Sequence, residues 1–477
     1  MKKIVTMLLL FVAVLTISAC SDGKSSPDSR SEKETQGQKS KSGNSDGDEG
    51  NSDGEAQNKN KEYDIDLSKH LKVGDFIQFG TYEQDNSTDN GPERIEWQVL
   101  DIAYGKIFVM SRYALDSQPF NKDDSVYAWD KCSIRDWLNN DFYDKAFSAK
   151  EKDLIQLTEL TTKQKNEKIT TEDKVFLLSN LEVYHYLRYL SIEGESSSFC
   201  HPTAFSVEQG VKTSAETENR CDWFIRNAYA PDDARFVNAK RGTVDYDAKV
   251  TRDNIGIRPA MWLSYENISL KDAEVGDTVF FGTYNQGTTV LGSDGLNHYL
   301  IEPIAWTVLD IQDGQKMLIT KSGIVGYNYG NSPWENSHLR KCLNSYFYDE
   351  AFSEEDKSKI IETTLANPDN DVYGTDGGND TTDKVFVLSV PEVEKYFGGS
   401  RDEDNPLRAC YSPTELGTNG AGNLCSWFTR TPGKDQQTVA FIDYYEIGSK
   451  AGHINMEGTE GRISGISAGR PVIWVQP

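Results

Sequence analysis

The chain has 477 residues, 37% hydrophobic and 26% charged, with 75 acidic against 50 basic side chains and a net charge of −25. That length exceeds one domain of about 100 to 200 residues, so two or three folded units are expected. A mean hydropathy of −0.61 excludes a polytopic membrane protein, and the acidic balance argues against nucleic acid or an anionic membrane face as the main ligand.

Lys2 and Lys3 precede an apolar run from Ile4 to Ile17, too short to span a bilayer, and Ile17-Ser18-Ala19-Cys20 follows. An apolar residue, two small residues and a cysteine suit lipoprotein processing: small side chains fit the peptidase and the thiol receives the diacylglycerol. Residues 1–20 therefore read as an export signal, and Cys20 as the lipidated mature N-terminus on the outer face of the cell membrane. The alternative is an ordinary cleaved signal with a free Cys20. Residues 21–62 hold no aromatic residue and no aliphatic one larger than Ala56, so they cannot bury enough surface to fold and read as a disordered tether. Its reach is roughly 35 to 40 Å.

Beyond the tether the sequence repeats itself at a spacing far longer than solenoid periods. Val73-Gly74-Asp75-Phe76-Ile77-Gln78-Phe79-Gly80-Thr81-Tyr82 returns as Val275-Gly276-Asp277-Thr278-Val279-Phe280-Phe281-Gly282-Thr283-Tyr284, and Trp97 to Ile102 as Trp306 to Ile311. Trp129 to Ile155 matches Trp334 to Ile360, Asp173 to Phe176 matches Asp383 to Phe386, and Arg258-Pro259 matches Arg470-Pro471. Copy one is placed at 63–266 and copy two at 267–477.

Each copy opens with strand-like segments, Phe76 to Phe79, Trp97 to Ile102 and Ile107 to Met110, the last two joined by a turn at Tyr104-Gly105 (Asp313-Gly314 in copy two). Ile134, Trp137, Leu138 and Phe142 then fall on one helical stripe, mirrored by Leu339, Cys342, Leu343 and Phe347. Ser148 with Glu151, and Ser353 with Asp356, form capping boxes for a second helix. The device recurs at Ser179 with Glu182 and Ser389 with Glu392, after short apolar strands at Val175 to Leu178 and Val385 to Leu388. Strand-like sequence returns at the end, giving an α+β domain with helices in the middle.

Cys200 and Cys221 stand where copy two has Cys410 and Cys425. In an exported chain this predicts bridges Cys200–Cys221 and Cys410–Cys425, with four buried thiols as the alternative. Cys132 aligns with Ser337 and Cys342 with Trp137, so both read as unpaired. Four tryptophan pairs align, and most belong in a core; Trp129 and Trp334, before the first helix, are the candidates for ligand contact. Arg226 and Arg430 are candidate anion or ligand binders, with carboxylate pairing to Asp173 or Asp383 as the competing reading. Asp369, Asp371, Asp376 and Asp380 offer oxygen ligands for calcium, against a plain solvated loop. No other cofactor is indicated. None of the six histidines falls at a matching place in both copies, and zinc, redox, phosphate-loop and serine-hydrolase motifs are missing.

Arg135-Asp136-Trp137-Leu138-Asn139, Asp173 to Ser179, Cys200-His201-Pro202-Thr203, Cys221 to Arg226 and Gly256-Ile257-Arg258-Pro259-Ala260 together resemble a bacterial family, domain of unknown function 6273, found in surface proteins. Copy two departs from it at Cys342 and at Ala468-Gly469-Arg470. The motif order is also similar to C-type-lectin-like domains, including the sulfatase-modifying type. That resemblance implies two tandem C-type-lectin-like domains and a non-catalytic lipoprotein that binds a cell-surface glycan or protein. A carbohydrate-active or protein-modifying enzyme on the same scaffold and a structural spacer are the alternatives.

Overall fold

A computed structural model describes residue 67 and residues 70–477, apart from 88, 166, 188–189, 193, 292–296, 325–327, 331–332, 404, 412–424, 446–449 and 461–466. The export signal, Cys20 and the tether lie outside the described residues. Among those described, no helix is long and apolar enough to cross a membrane.

Both copies are built on the same plan. In copy one the strands Phe76–Tyr82, Glu93–Ala103, Lys106–Ser111 and Ala260–Ser264 form an antiparallel sheet in that order, so the last strand closes on the third. In copy two Val472–Val475 closes on Gln315–Thr320 in the same way. A second sheet lies in each: Val244–Ala248, Ala234–Val237, Trp223–Ala228, Gly256–Ile257 and Asp116–Ser117 in copy one, and Lys450–Glu460, Thr438–Tyr445, Ser426–Pro432 and Ser467–Ala468 in copy two. Helices occupy the middle of each copy, so the protein is a two-domain α+β fold.

Because each chain end returns to its own first sheet, each copy closes over its own core. One buried cluster runs from Leu71 to Tyr265 and a second from Ile268 to Val475. Gly80 shows why the Phe-Gly-Thr-Tyr motif repeats: its φ is +69°, and a Cβ there would stand 2.7 Å from the Phe147 ring. Gly282 meets Phe352 in the same way.

The first helix differs from a simple stripe. Ser133–Trp137 is α-helical, Leu138–Phe142 widens into a π-turn, and Tyr143–Ala146 resumes the α form; copy two repeats this at His338–Cys342, Leu343–Phe347 and Tyr348–Ala351. Ile134, Leu138 and Phe142 are buried, whereas Trp137 is only partly covered. All four capping boxes form, at Ser148, Ser179, Ser353 and Ser389.

Val175 to Leu178 and Val385 to Leu388 are fully buried but are not strands. Each makes one isolated bridge, Phe176 to Ala260 and Phe386 to Val472. The carbonyls of Leu177 and Val387 accept instead from arginine side chains, which replaces a ladder partner. The sequence reading also passed over the hairpin Thr158–Gln164 with Glu167–Asp173, whose inward positions are largely polar.

Candidate functional site

The duplicated motifs converge on buried carboxylates. Asp173, 0% exposed, accepts from Trp129 Nε1 (3.0 Å), Arg135 Nε (2.5 Å) and Thr171 Oγ1 (2.8 Å). Asp383 accepts from Trp334 (3.0 Å), Arg340 (2.6 Å) and Thr381 (2.8 Å). Asn139, on the π-turn, clamps the following backbone: its Oδ1 accepts from Lys174 N (2.8 Å) and Val175 N (3.2 Å), and its Nδ2 donates to Val175 O (2.9 Å). Asn344 does the same around Lys384 and Val385. Trp129 and Trp334 are therefore wholly enclosed, with their single polar atom committed to a carboxylate.

Arg226 and Arg430, each 2% exposed, do not reach Asp173 or Asp383. They form two-pronged pairs with Glu182 and Glu392, the carboxylates that also cap the helices after Ser179 and Ser389. Burial pushes the Glu182 carboxyl up, but the Arg226 guanidinium outweighs it and holds the group below the usual carboxylate range.

Cys200 and Cys221 are neighbouring free thiols that feel the charge of Arg258, and Cys410 and Cys425 that of Arg470; Cys200 Sγ donates to His201 O (3.5 Å) and Cys410 Sγ to Tyr411 O (3.8 Å). Neither pair is at bonding distance. Cys221 is pushed up by its hydrogen bond to Cys200 and by burial. Burial also pushes Cys200 up, yet that hydrogen bond and Arg258 leave it below the ordinary thiol value. Cys132 is buried and raised to about 12 by desolvation.

The four aspartates proposed for calcium do not meet. Asp371 is held by both terminal nitrogens of Arg401 (2.7 and 2.8 Å), Asp369 accepts from Gly377 N and Asp376 from Gly378 N, and Asp380 is exposed. The loop is organised by Asn370, whose Nδ2 reaches the carbonyls of Pro432, Gly433 and Met456. Among the described residues the one group of three possible metal ligands is Glu83, Asp85 and Glu93, none of them singled out in the sequence.

Copy one carries a trough of about 630 Å³, a size that suits a small ligand. Asp130, Lys131, Arg135, Asp136, Asn140 and Glu172 are among its lining residues, with Leu157 and Cys132 as less polar members. Asp130, Lys131 and Asp136 come from the turn before the first helix and from its first turns, and Glu172 from the end of the hairpin. Asn140 Nδ2 donates to Asp136 Oδ1 (2.9 Å), and Arg135 spans from Asp130 O (3.3 Å) to Glu172 O (3.2 Å). Asp130 Oδ1 is buried and has no hydrogen-bond donor among the described residues.

Copy two treats the same place differently. Glu335, the counterpart of Asp130, accepts from Asn379 Nδ2 (3.0 Å), and the segment Gly377–Asn379 packs beside Pro333 and Glu335. The loop Asn367–Asp380 thus supplies from within the chain a donor that the copy-one trough lacks. Of the trough residues, the sequence singles out Arg135, Asp136, Asn139 and Lys174 only as family motif and Cys132 only as an unpaired thiol. The signal passed over is the extra length before Asp383, 23 positions after Ile360 where copy one has 18 between Ile155 and Asp173, which marks where the copies diverge.

The geometry defines a protein of two homologous α+β domains, each pinned by a Trp–Asp–Arg cluster and an Arg–Glu helix cap. The chain belongs to the family described as domain of unknown function, DUF6273, whose model matches residues 104–265 and 313–477. No curated protein and no solved structure matches.

Proposed function

We propose that this protein is an exported, lipid-anchored binding protein with two C-type-lectin-like domains, and that the copy-one trough holds a hydroxyl-rich ligand, a saccharide of the cell surface. One observation carries the reading: a buried acceptor, Asp130 Oδ1, has no donor among the described residues, and its residue lines a trough with carboxylates, amides, a hydroxyl, two ammonium groups and the Arg135 guanidinium beside Cys132 and Leu157. Leaving such an atom unpaired costs about 1–3 kcal/mol, which a ligand hydroxyl would offset. A lining that offers both acceptors and donors suits sugar hydroxyls, each of which both gives and takes a hydrogen bond. Copy two, where Asn379 already engages Glu335, serves as the scaffold partner rather than a second equal site.

The anchoring half of the proposal rests on the Ile17-Ser18-Ala19-Cys20 signal. Export would also bring the adjacent thiols into an oxidising compartment. There Cys200–Cys221 and Cys410–Cys425 would close as disulfides, passing two electrons and two protons per bridge to a thiol oxidoreductase.

The test is a glycan array probed with the full chain, with and without calcium. Binding that falls tenfold or more in Asp130→Asn and is unchanged in Glu335→Gln supports the trough. Silence in both conditions, or binding insensitive to Asp130, overturns it.

A further inference from the structure

Arg226 and Arg430 hold the same place in the two copies, and their partners differ at one atom. In copy one Arg226 Nε donates to Thr162 Oγ1 (3.0 Å), while its terminal nitrogens engage Glu182 and Leu177 O. In copy two the terminal nitrogens of Arg430 engage Glu392, Val387 O and Ala366 O, but Nε is buried and has no acceptor among the described residues. The repeat shows what changed. Asn367 stands where copy one has Thr162, each seven residues after the aligned isoleucines Ile360 and Ile155. The Asn367 amide nitrogen turns to Asn379 O (2.6 Å), and its Oδ1 is buried with no donor among the described residues.

A third polar atom belongs to the same place. Tyr329 is the structural counterpart of Phe120: its carbonyl accepts from Leu339 N (3.2 Å) as that of Phe120 does from Ile134 N (3.2 Å). Its ring lies 6.1 Å from Trp334 and 5.6 Å from Phe428, where the Phe120 ring lies 6.2 Å from Trp129 and 5.9 Å from Phe224. Copy two therefore adds a hydroxyl to an enclosed ring. That hydroxyl has no partner among the described residues; burial pushes its pKa up, and the nearby Arg430 charge opposes the rise. Where copy one closes the place with a phenyl ring and a direct bond, copy two leaves three orphaned polar atoms, on residues 0% (Tyr329), 2% (Arg430) and 7% (Asn367) exposed.

We propose that copy two holds a buried water molecule, bound by Arg430 Nε, Asn367 Oδ1 and the Tyr329 hydroxyl. The set of atoms selects water. One fixed donor, one fixed acceptor and a hydroxyl that can be either match a molecule that both gives and takes, and three bonds are the usual number for a buried water. An anion fits poorly, because Glu392 already balances the guanidinium and the Asn367 oxygen would face it. The water also bears on the copy-two counterpart of the trough. Asn367 Nδ2 donates to Asn379 O and Asn379 Nδ2 to Glu335 Oε2 (3.0 Å), so the water fixes which way the Asn367 amide faces and, through it, the residue that engages Glu335.

The experiment has two arms. A crystal structure of the full chain carrying Cys20→Ser, sharp enough to show single waters and repeated on bromide-soaked crystals, is expected to show one peak within hydrogen-bond distance of all three atoms and no bromide signal there. In solution, Tyr329→Phe is expected to lower the urea midpoint of copy two, read by hydrogen exchange in its peptides, by about 0.3 to 0.5 M. Asn367→Thr restores the direct bond of copy one and displaces the water, so in that background Tyr329→Phe should cost nothing. A bromide peak at the site, a direct bond from Arg430 Nε to Asn367 or Tyr329, a site with no peak, or midpoint losses that add in the double variant overturns the proposal.

Discussion

Ala114 and Gly256 share a contact with room for one methyl group: a Cβ on Gly256 would stand 2.6 Å from Ala114 Cβ. Copy two reverses the pair. Gly323 takes the place of Ala114, Ala468 takes the place of Gly256, and a Cβ on Gly323 would stand 2.7 Å from Ala468 Cβ. The departure of copy two from the Gly-x-Arg-Pro motif is thus compensated across the fold, next to the paired thiols. Gly256→Ala is expected to destabilise copy one by about 1–3 kcal/mol through overpacking. Adding Ala114→Gly should recover most of that loss, and a double-mutant cycle from urea unfolding checks it. Losses that simply add would contradict the reversal.

The Trp–Asp–Arg cluster should dominate the stability of each copy. Asp173→Ala leaves Trp129 Nε1 and part of Arg135 without their acceptor, and is expected to cost about 3–5 kcal/mol. Trp129→Phe removes one hydrogen bond to a charged group, about 1.5–3 kcal/mol, with a packing loss in addition. Chemical unfolding followed by tryptophan fluorescence measures both, and a change below about 1 kcal/mol for Asp173→Ala would show that the buried carboxylate is not a keystone.

Glu151 and Glu182 both sit below the ordinary carboxylate range. In each, burial pushes the group up but is outweighed, for Glu151 by the Ser148 amide, Arg94 and the Gly80 amide, and for Glu182 chiefly by Arg226. A carboxylate held low in the folded state gives stability that is complete above its unfolded pKa, about 4.3, and is lost as pH falls through its lower folded value. The unfolding midpoint should therefore be flat near neutrality and drop on acidification. Glu182→Gln should lower the neutral plateau and shrink the acid drop, as calorimetry across pH would record.

Cys132, raised to about 12 and buried beside the Trp129 carbonyl (3.2 Å), is expected to resist alkylation in the native protein at pH 8 and to label quickly once the chain unfolds. Mass spectrometry of timed alkylation checks this, and native labelling as fast as that of the unfolded chain would contradict the burial.

What the sequence made legible was what repetition and local chemistry control. The four capping boxes, the turns at Tyr104-Gly105 and Asp313-Gly314 and the α+β succession follow from short-range rules, and the structure has them. Asp173 and Arg226 were visible as repeated residues, but their partners were not. Arg226 pairs with Glu182, 44 residues upstream, and Asp173 with Arg135, 38 residues upstream, and spacing alone cannot say which carboxylate meets which guanidinium. Trp129 looked like a surface candidate because it precedes a helix; its indole faces inward because a buried carboxylate needs its donor. The trough escaped notice because it arises from a difference between the copies, the loop at Asn367–Asp380, rather than from anything they share.

Hydrogen exchange of the full chain, read by mass spectrometry with and without a mixture of cell-surface saccharides, tests the binding account most directly. The account predicts slowed exchange in the turn and helix from Trp129 to Trp137 and around Glu172, with no change from Trp334 to Cys342. Slowing confined to copy two, or none with any saccharide, would contradict it.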